Sequence, residues 1–127
     1  MTDEPWASTI YTLEEAQALL PELRERLVAL RDAFADLAGH QEFVRSLSPR
    51  NGSEEQPGAG SDLSQKVAEQ LAWFNDDGIM VRDVEQGLVD FPAKRDGEDI
   101  LLCWKLGEES VAFWHYPDTG FEGRQPL

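Results

Sequence analysis

Apolar residues recur at helical spacing over the first third of the chain. The intervals alternate between three and four residues along one stripe: Leu13, Ala16, Leu20, Leu23, Leu27, Leu30, Phe34 and Leu37. Such intervals place every apolar side chain on one face of an α-helix. Thr12 and Glu15 have the spacing of a capping box, in which each side chain accepts a hydrogen bond from the other residue's amide. The helix is therefore expected to begin at this point.

Pro21 interrupts the stripe. Proline has no amide donor and crowds the preceding turn, so a kink or a new helix is expected there. The simplest arrangement is a short helix over 12–19 followed by a long helix over 21–46. The stripe then packs either within the chain, which the pattern favours, or against a second copy of the protein.

The middle of the chain predicts a linker and a second helix. Residues 47–62 are nearly free of apolar side chains and rich in Gly, Pro and Ser. Such a segment buries too little surface to offset the entropy lost on ordering, so it is predicted to be a flexible linker. A helix is predicted over 63–76, because one face is apolar and a helix-ending glycine, Gly78, follows.

From Ile79 onwards the period becomes that of β-strands. Turn-rich stretches separate four short runs, which are Ile79–Arg82, Gly87–Phe91, Asp99–Lys105 and Val111–His115. Short connections favour pairing between neighbours and hence an antiparallel meander. The third run is apolar on both faces, so one face needs a cover other than the helices. Either the C-terminal tail or another subunit provides it, and this is the main sequence argument for a homodimer.

These patterns predict one α+β domain over residues 1–127. Its architecture is an antiparallel helical hairpin packed on a four-stranded antiparallel β-meander. The predicted parts are a helical arm over 10–46, the flexible linker over 47–62, the second helix over 63–76 and a β-meander with a C-terminal tail over 79–127.

Composition narrows the range of partners. The formal net charge is −14, and acidic residues outnumber basic ones on both sides of the linker. Nucleic acids and anionic membrane surfaces are therefore not expected as partners. The single cysteine, Cys103, cannot form an internal disulfide, and no secretory leader or membrane-spanning apolar run is evident. These features predict a cytoplasmic protein.

Several longer motifs resemble those of one family. They are Tyr11–Arg24, Gly87–Ala93, Arg95–Gly97, Leu102–Glu108, Trp114-His115 and Gly120–Leu127. Together they resemble the uncharacterised prokaryotic family of domain-of-unknown-function number 2203, over nearly the whole chain except 1–9 and 46–62. The resemblance implies a small, soluble α+β protein. It implies no activity, ligand, cofactor or catalytic residue.

The C-terminal tail carries the residues of a candidate polar site. If the strands pair in chain order, Asp90, Cys103 and His115 lie on three consecutive strands. Turns at two glycines of the tail can then bring Glu122 and Arg124 back towards His115.

Three interpretations of these residues remain open. One is a metal site made of His115 with Asp90 or Glu122, with or without Cys103, although the paired spacing typical of zinc sites is missing and no metal is predicted. Another is a pocket for a small anion, with Arg124 as a clamp, His115 as proton donor and Trp104 or Trp114 as a wall. In the third, Arg124 pairs with Asp90 or Glu122 for purely structural reasons.

The sequence favours a small non-enzymatic interaction or ligand-binding module with its polar site in the C-terminal tail. The candidate ligand-binding residues are His115, Glu122, Arg124, Asp90 and Trp104. The alternative is a small hydrolase or metal-dependent enzyme centred on His115. Whether any reaction is catalysed stays open, and no cofactor is named.

Overall fold

Two helices precede five strands in the part of the chain that the computed structural model describes, which is residues 7, 9–46 and 59–127. The elements are α1 (Leu13–Ser46), α2 (Ala59–Asp76), β1 (Met80–Asp83), β2 (Leu88–Arg95), β3 (Glu98–Lys105), β4 (Phe113–His115) and β5 (Gln125–Pro126). This composition confirms the α+β class. Most of the predicted linker lies outside the described residues.

The predicted capping box is present at the start of α1. The Thr12 amide donates to Glu15 Oε1 at 2.9 Å, and the Glu15 amide donates to Thr12 Oγ1 at 3.1 Å. Two amides that lack a partner within the helix are thereby satisfied. The local sequence alone therefore fixes where α1 begins.

Pro21 does not divide the helix, so the prediction of two helices over 12–19 and 21–46 is wrong. α1 runs continuously from Leu13 to Ser46 and contains Pro21. A proline inside a helix costs about 3 kcal/mol. Buried stripe residues on both sides, among them Leu20 and Leu23, belong to the same core. Their shared burial offsets the cost of the proline and keeps the two segments in one continuous helix.

The second helix begins earlier than predicted. α2 starts at Ala59 rather than at residue 63, inside the stretch assigned to the linker. Asp62 lies in its first turn, where a negative charge interacts favourably with the amide end of the helix. The prediction relied on the apolar face, which begins at Leu63, so it missed the first turn of the helix.

The sheet is an antiparallel meander of five strands in the order β1-β2-β3-β4-β5, rather than the predicted four. The additional strand comes from the tail, where Phe113 pairs with Pro126 and Trp114 with Gln125. The Leu127 amide also donates to the Ala112 carbonyl at 2.9 Å. A two-residue strand has no alternation of its own, so the sequence pattern contains no sign of it.

β4 is shorter than predicted because a helix side chain binds the backbone of Val111. The Val111 amide donates to Gln17 Oε1 at 2.8 Å, and Gln17 Nε2 donates to the Val111 carbonyl at 3.1 Å. Both backbone groups are thus unavailable to the sheet, and β4 begins at Phe113. The same pair of bonds ties α1 to the connection between β3 and β4.

β2 extends to Arg95, beyond the predicted Phe91, and contains Pro92. The Pro92 carbonyl accepts from the Tyr11 amide at 2.7 Å. In a strand the amide and carbonyl positions of one residue point to the same side, so the proline nitrogen faces the N-terminal segment and not β3. The ladder to β3 therefore loses no hydrogen bond at the proline. β2 then turns into β3 through Asp96 and Gly97, both with positive φ, as tight hairpins require.

One hydrophobic core lies between the helices and one face of the sheet. It includes the middle of the α1 stripe, residues of α2, and alternate residues of the strands such as Val89, Phe91 and Trp104. The stripe thus packs within the chain over most of its length, as the pattern favoured. In the described part of the chain, neither α1 nor α2 contains an apolar stretch of the length that spanning a bilayer requires.

Tyr11 connects the start of α1 to the end of α2. Its hydroxyl donates to the Asp77 carbonyl at 2.5 Å, and its ring meets Phe91 edge-on at 5.2 Å. Burial raises the pKa of Tyr11 above 10.0, and the charges of Asp77 and Glu15 raise it further. The hydroxyl therefore remains protonated in the folded protein after it has ionised in the unfolded chain.

We predict that Tyr11→Phe lowers the free energy of unfolding by about 1 kcal/mol near neutral pH, through loss of the hydrogen bond. Because the folded-state pKa is raised, this tyrosine stabilises the fold fully below about pH 10 and progressively less above it. Urea unfolding at neutral and alkaline pH measures both effects. An equally large alkaline loss of stability in Tyr11→Phe would contradict the assignment.

Candidate functional site

Polar residues occupy the sheet face that points away from the helices. Val89 and Phe91 belong to the core, so Asp90 between them points to the opposite face. Asp90 pairs directly with Cys103 on β3, and His115 lies on β4. The predicted placement of these three residues on consecutive strands is thus confirmed for the described sheet, as β2, β3 and β4.

Asp90 and His115 form a buried polar pair. His115 Nε2 lies 3.1 Å from Asp90 Oδ1, and each residue is only 2% exposed. On its other side, His115 Nδ1 lies 2.7 Å from the Tyr116 carbonyl oxygen. A carbonyl can only accept, so Nδ1 carries a proton and the ring orientation is fixed by the main chain.

Arg82 on β1 supplies the second partner of Asp90, and the sequence analysis did not select it. Its Nε donates to Asp90 Oδ2 at 2.9 Å, while the side chain remains 46% exposed. A buried carboxylate needs a compensating donor or cation. Because Asp90 needs such a partner, a basic residue on β1, the strand next to β2, could have been selected from the sequence, and Arg82 is that residue.

Cys103 completes a compact group with this pair. The Asp90 carboxylate, the Cys103 thiol and the His115 imidazole each offer one ligand atom, and these atoms lie within 4.8 Å of one another. All three residues are buried. Burial raises the pKa of Cys103 to about 12, and the Asp90 charge contributes in the same direction. The thiol is therefore protonated and unreactive at neutral pH.

Arg124 pairs with Glu108, which corrects the expectation that it pairs with Asp90 or Glu122. Its Nη2 and Nη1 donate to the two Glu108 oxygens at 2.8 and 3.3 Å. β5 follows directly and fixes Arg124 beside the connection between β3 and β4, where Glu108 also accepts from the Lys105 amide at 2.9 Å. The position of β5 therefore determines that Arg124 pairs with Glu108.

Two rings enclose this ion pair. The Arg124 guanidinium lies 4.0 Å from the ring centre of Phe113 and 4.3 Å from that of Phe121. Burial lowers the pKa of Arg124, but its bonds to Glu108 outweigh this and raise the pKa overall. Through Phe121 and Arg124 the tail covers this part of the second sheet face. Arg124 is a structural clamp and is not presented to a ligand.

An open cleft of about 420 Å³ lies beside the Asp90–His115 pair. Its walls come from β1, β2, the end of β4 and the tail, and the lining residues are Arg82, Leu88, Asp90, His115, Pro117, Asp118, Thr119, Gly120 and Phe121. The tail passes closely over itself here, since a Cβ on Gly123 would lie 2.6 Å from Thr119 Cβ. The loop after β4 therefore needs glycine to form the wall of the cleft.

The structure brings only some of the predicted residues to this cleft. Asp90 and His115 line the cleft, whereas the Arg124 guanidinium is hydrogen-bonded to Glu108. Glu122 is exposed on the single helical turn Phe121–Gly123. Trp104 is buried on the core face, where its indole donates to the Glu108 carbonyl at 3.1 Å. Glu122 and Trp104 therefore lie outside the cleft wall.

Comparison with known proteins identifies the family but no function. The family described as uncharacterized conserved protein (DUF2203) matches residues 9–127, and the chain belongs to it. No curated protein and no solved structure matches the chain.

We predict that Arg124→Lys lowers the free energy of unfolding by about 1–2 kcal/mol. Lysine keeps the charge but loses the two-pronged bond to Glu108 and the stacking between the phenyl rings. Chemical denaturation measures the change, with the exposed Arg31→Lys on α1 as the matched control. A loss no larger than that of the control would show that the clamp does not hold the tail.

Proposed function

We propose that this protein is a non-enzymatic binding module whose cleft takes a small anionic ligand. The observation that carries the proposal is the half-exposed Arg82 beside an open cleft of about 420 Å³. The cleft combines apolar walls with a few fixed polar groups, as small-molecule sites usually do.

Arg82 is the group that gives the cleft its preference for an anion. Guanidinium has five N–H donors. In the described part of the chain one donates to Asp90 and one contacts the Met80 sulfur at 3.2 Å, which leaves donors for a carboxylate or phosphate. The Asp90 charge is already shared between Arg82 and His115. Asp118 on the rim and the net charge of −14 disfavour large or highly charged anions.

The hydrogen bonds of His115 support a binding module rather than a hydrolase centred on this residue. One ring nitrogen is held by the Tyr116 carbonyl and the other by Asp90. A general base must present a free nitrogen to the proton that it removes. The single thiol is also buried and protonated, which argues against a cysteine nucleophile. A free thiol fits the proposed cytoplasmic location.

We also propose that the protein forms a homodimer through the far end of the α1 stripe. Phe34 continues the buried stripe at helical spacing, yet it is 41% exposed. An apolar ring that continues the stripe and is this exposed is most simply buried by a second copy.

The anion proposal predicts a thermal shift with small anions. Inorganic phosphate and acetate are titrated against the purified chain, and a ligand at about a hundred times its Kd adds about 2.7 kcal/mol. The shift is expected to disappear in Arg82→Gln and to weaken in Arg82→Lys, which keeps a charge beside Asp90. Arg31→Lys is the control and should retain it. Equal shifts in all variants, or none in the native chain, would refute the proposal.

The dimer proposal predicts a mass of two chains by light scattering after size-exclusion chromatography. Phe34→Ser is expected to shift the protein to the monomer without unfolding it, because the ring is already partly exposed. Val28→Ser is the control, since Val28 is similarly exposed, at 38%, but lies off the stripe. A native monomer, or dimers of equal stability in both variants, would contradict the proposal.

A further inference from the structure

The cluster of Asp90, Cys103 and His115 has the donor set of a transition-metal site. It offers one oxygen, one sulfur and one nitrogen, all within 4.8 Å of one another. Hard cations such as Mg²⁺ and Ca²⁺ prefer oxygen ligands alone, whereas Zn²⁺ and similar cations accept this mixture. The chemistry of the donors therefore selects the class of metal.

One pair of donor atoms in the cluster has nearly the spacing found around a bound cation, and all three donor atoms lie within 4.8 Å of one another. In a tetrahedral Zn²⁺ site with bonds of about 2.0–2.3 Å, neighbouring ligand atoms lie about 3.3–3.6 Å apart. His115 Nε2 and Asp90 Oδ1 are 3.1 Å apart, so a small movement of either side chain admits a cation. Cys103 lies directly opposite Asp90 in the sheet, so the rigid register of β2 and β3 sets the third ligand.

The surroundings of the cluster are also those of a metal site. The Tyr116 carbonyl accepts from His115 Nδ1 and so aims Nε2 at Asp90, as the outer partners of metal-bound histidines do. Arg82 occupies Asp90 Oδ2, so a cation at Oδ1 would replace only the hydrogen bond between Oδ1 and His115 Nε2. Arg124 Nη1 lies 3.9 Å from the Cys103 sulfur, but its charge is balanced by Glu108. A divalent cation would offset the charges of the carboxylate and thiolate.

We infer that Asp90, Cys103 and His115 bind a divalent cation of the Zn²⁺ class through Oδ1, Sγ and Nε2. Binding replaces the proton of the hydrogen bond between His115 Nε2 and Asp90 Oδ1 and the proton on Cys103, and both are released to solvent. Asp90 and His115 line the cleft, so the fourth coordination position is reached from there. Three protein ligands with one open position is the arrangement in which a metal can also contact a small ligand.

The proposed cation site is separate from the proposed anion site and does not depend on it. The cation is held by the floor of the cleft, whereas the anion is held by Arg82 on its wall. The two are tested with different variants, and the metal experiments contain no added carboxylate or phosphate.

The experiment is a Co²⁺ titration of the chelator-treated, untagged full-length chain, followed by absorption spectroscopy. Cys103 is the only cysteine of the protein, so a thiolate-to-cobalt charge-transfer band in the near ultraviolet has a single source. We expect this band to saturate at one equivalent and to be reversed by Zn²⁺. Absence of the band at excess Co²⁺ in the folded native chain would overturn the inference.

Matched variants separate this site from weak binding by surface carboxylates. The chain has two histidines, His40 on α1 and His115. His115→Gln and Asp90→Asn are expected to weaken Co²⁺ binding by at least about tenfold, since even outer partners of metal ligands contribute about 10–100-fold. Cys103→Ala should remove the band altogether, and His40→Gln should bind as the native chain does. Equal affinity in His115→Gln, Asp90→Asn and the native chain would overturn the site.

Folding of the variants is checked by circular dichroism before titration. Cys103→Ala is the safeguard, because it removes only one sulfur atom from the buried face and leaves the Asp90–His115 pair in place. If Zn²⁺ raises the Tm of the native chain and of His40→Gln but not of Cys103→Ala, the site is supported. The same rise in Cys103→Ala would place the cation elsewhere on this acidic protein and refute the assignment.

Discussion

The buried carboxylate of Asp90 constrains the whole second face of the sheet. An ionised group at 2% exposure is stable only if both oxygens have donors, because its desolvation costs several kcal/mol. The donors come from Arg82 on β1 and His115 on β4, so one side chain on β2 links three strands. Neither donor is adjacent to Asp90 in sequence. The strand order of the meander is therefore a condition for this residue to be buried at all.

The path of the C-terminal tail depends on the same buried pair of Asp90 and His115. His115 ends β4, and its ring is aligned by the carbonyl of the next residue, so the chain must leave the sheet in a defined direction. The tail then crosses the face that the helices leave uncovered and returns to pair with β4 as β5. The Arg124–Glu108 clamp between two phenyl rings holds the crossing in place. The open cleft is the space that remains between this crossing and Asp90.

Features governed by neighbours in sequence and the chain-order pairing of the strands could be predicted, while features governed by contacts between a helix and distant residues could not. The capping box, the α1 stripe and the turn at Asp96-Gly97 depend on residues within a few positions, and the structure contains all three. The continuity of α1 through Pro21 depends on a shared core, which no local rule describes. The short β4 depends on Gln17, a residue distant in sequence that binds Val111.

The three side chains of the candidate site could be placed together from the predicted strand order, but not from a ligand-spacing motif. Familiar metal motifs place two ligands a few residues apart, on one turn or one helix. Here Asp90, Cys103 and His115 are 13 and 12 residues apart, which corresponds to one strand and one turn of the meander. Such ligands meet only if every hairpin between them keeps its register, because a slip of one residue moves a side chain to the opposite face. The spacing of these residues in the sequence therefore does not reveal the site unless the pairing of the strands is also known. The same strand register holds the three side chains in a defined arrangement, which distinguishes the site from a loose patch of surface acids.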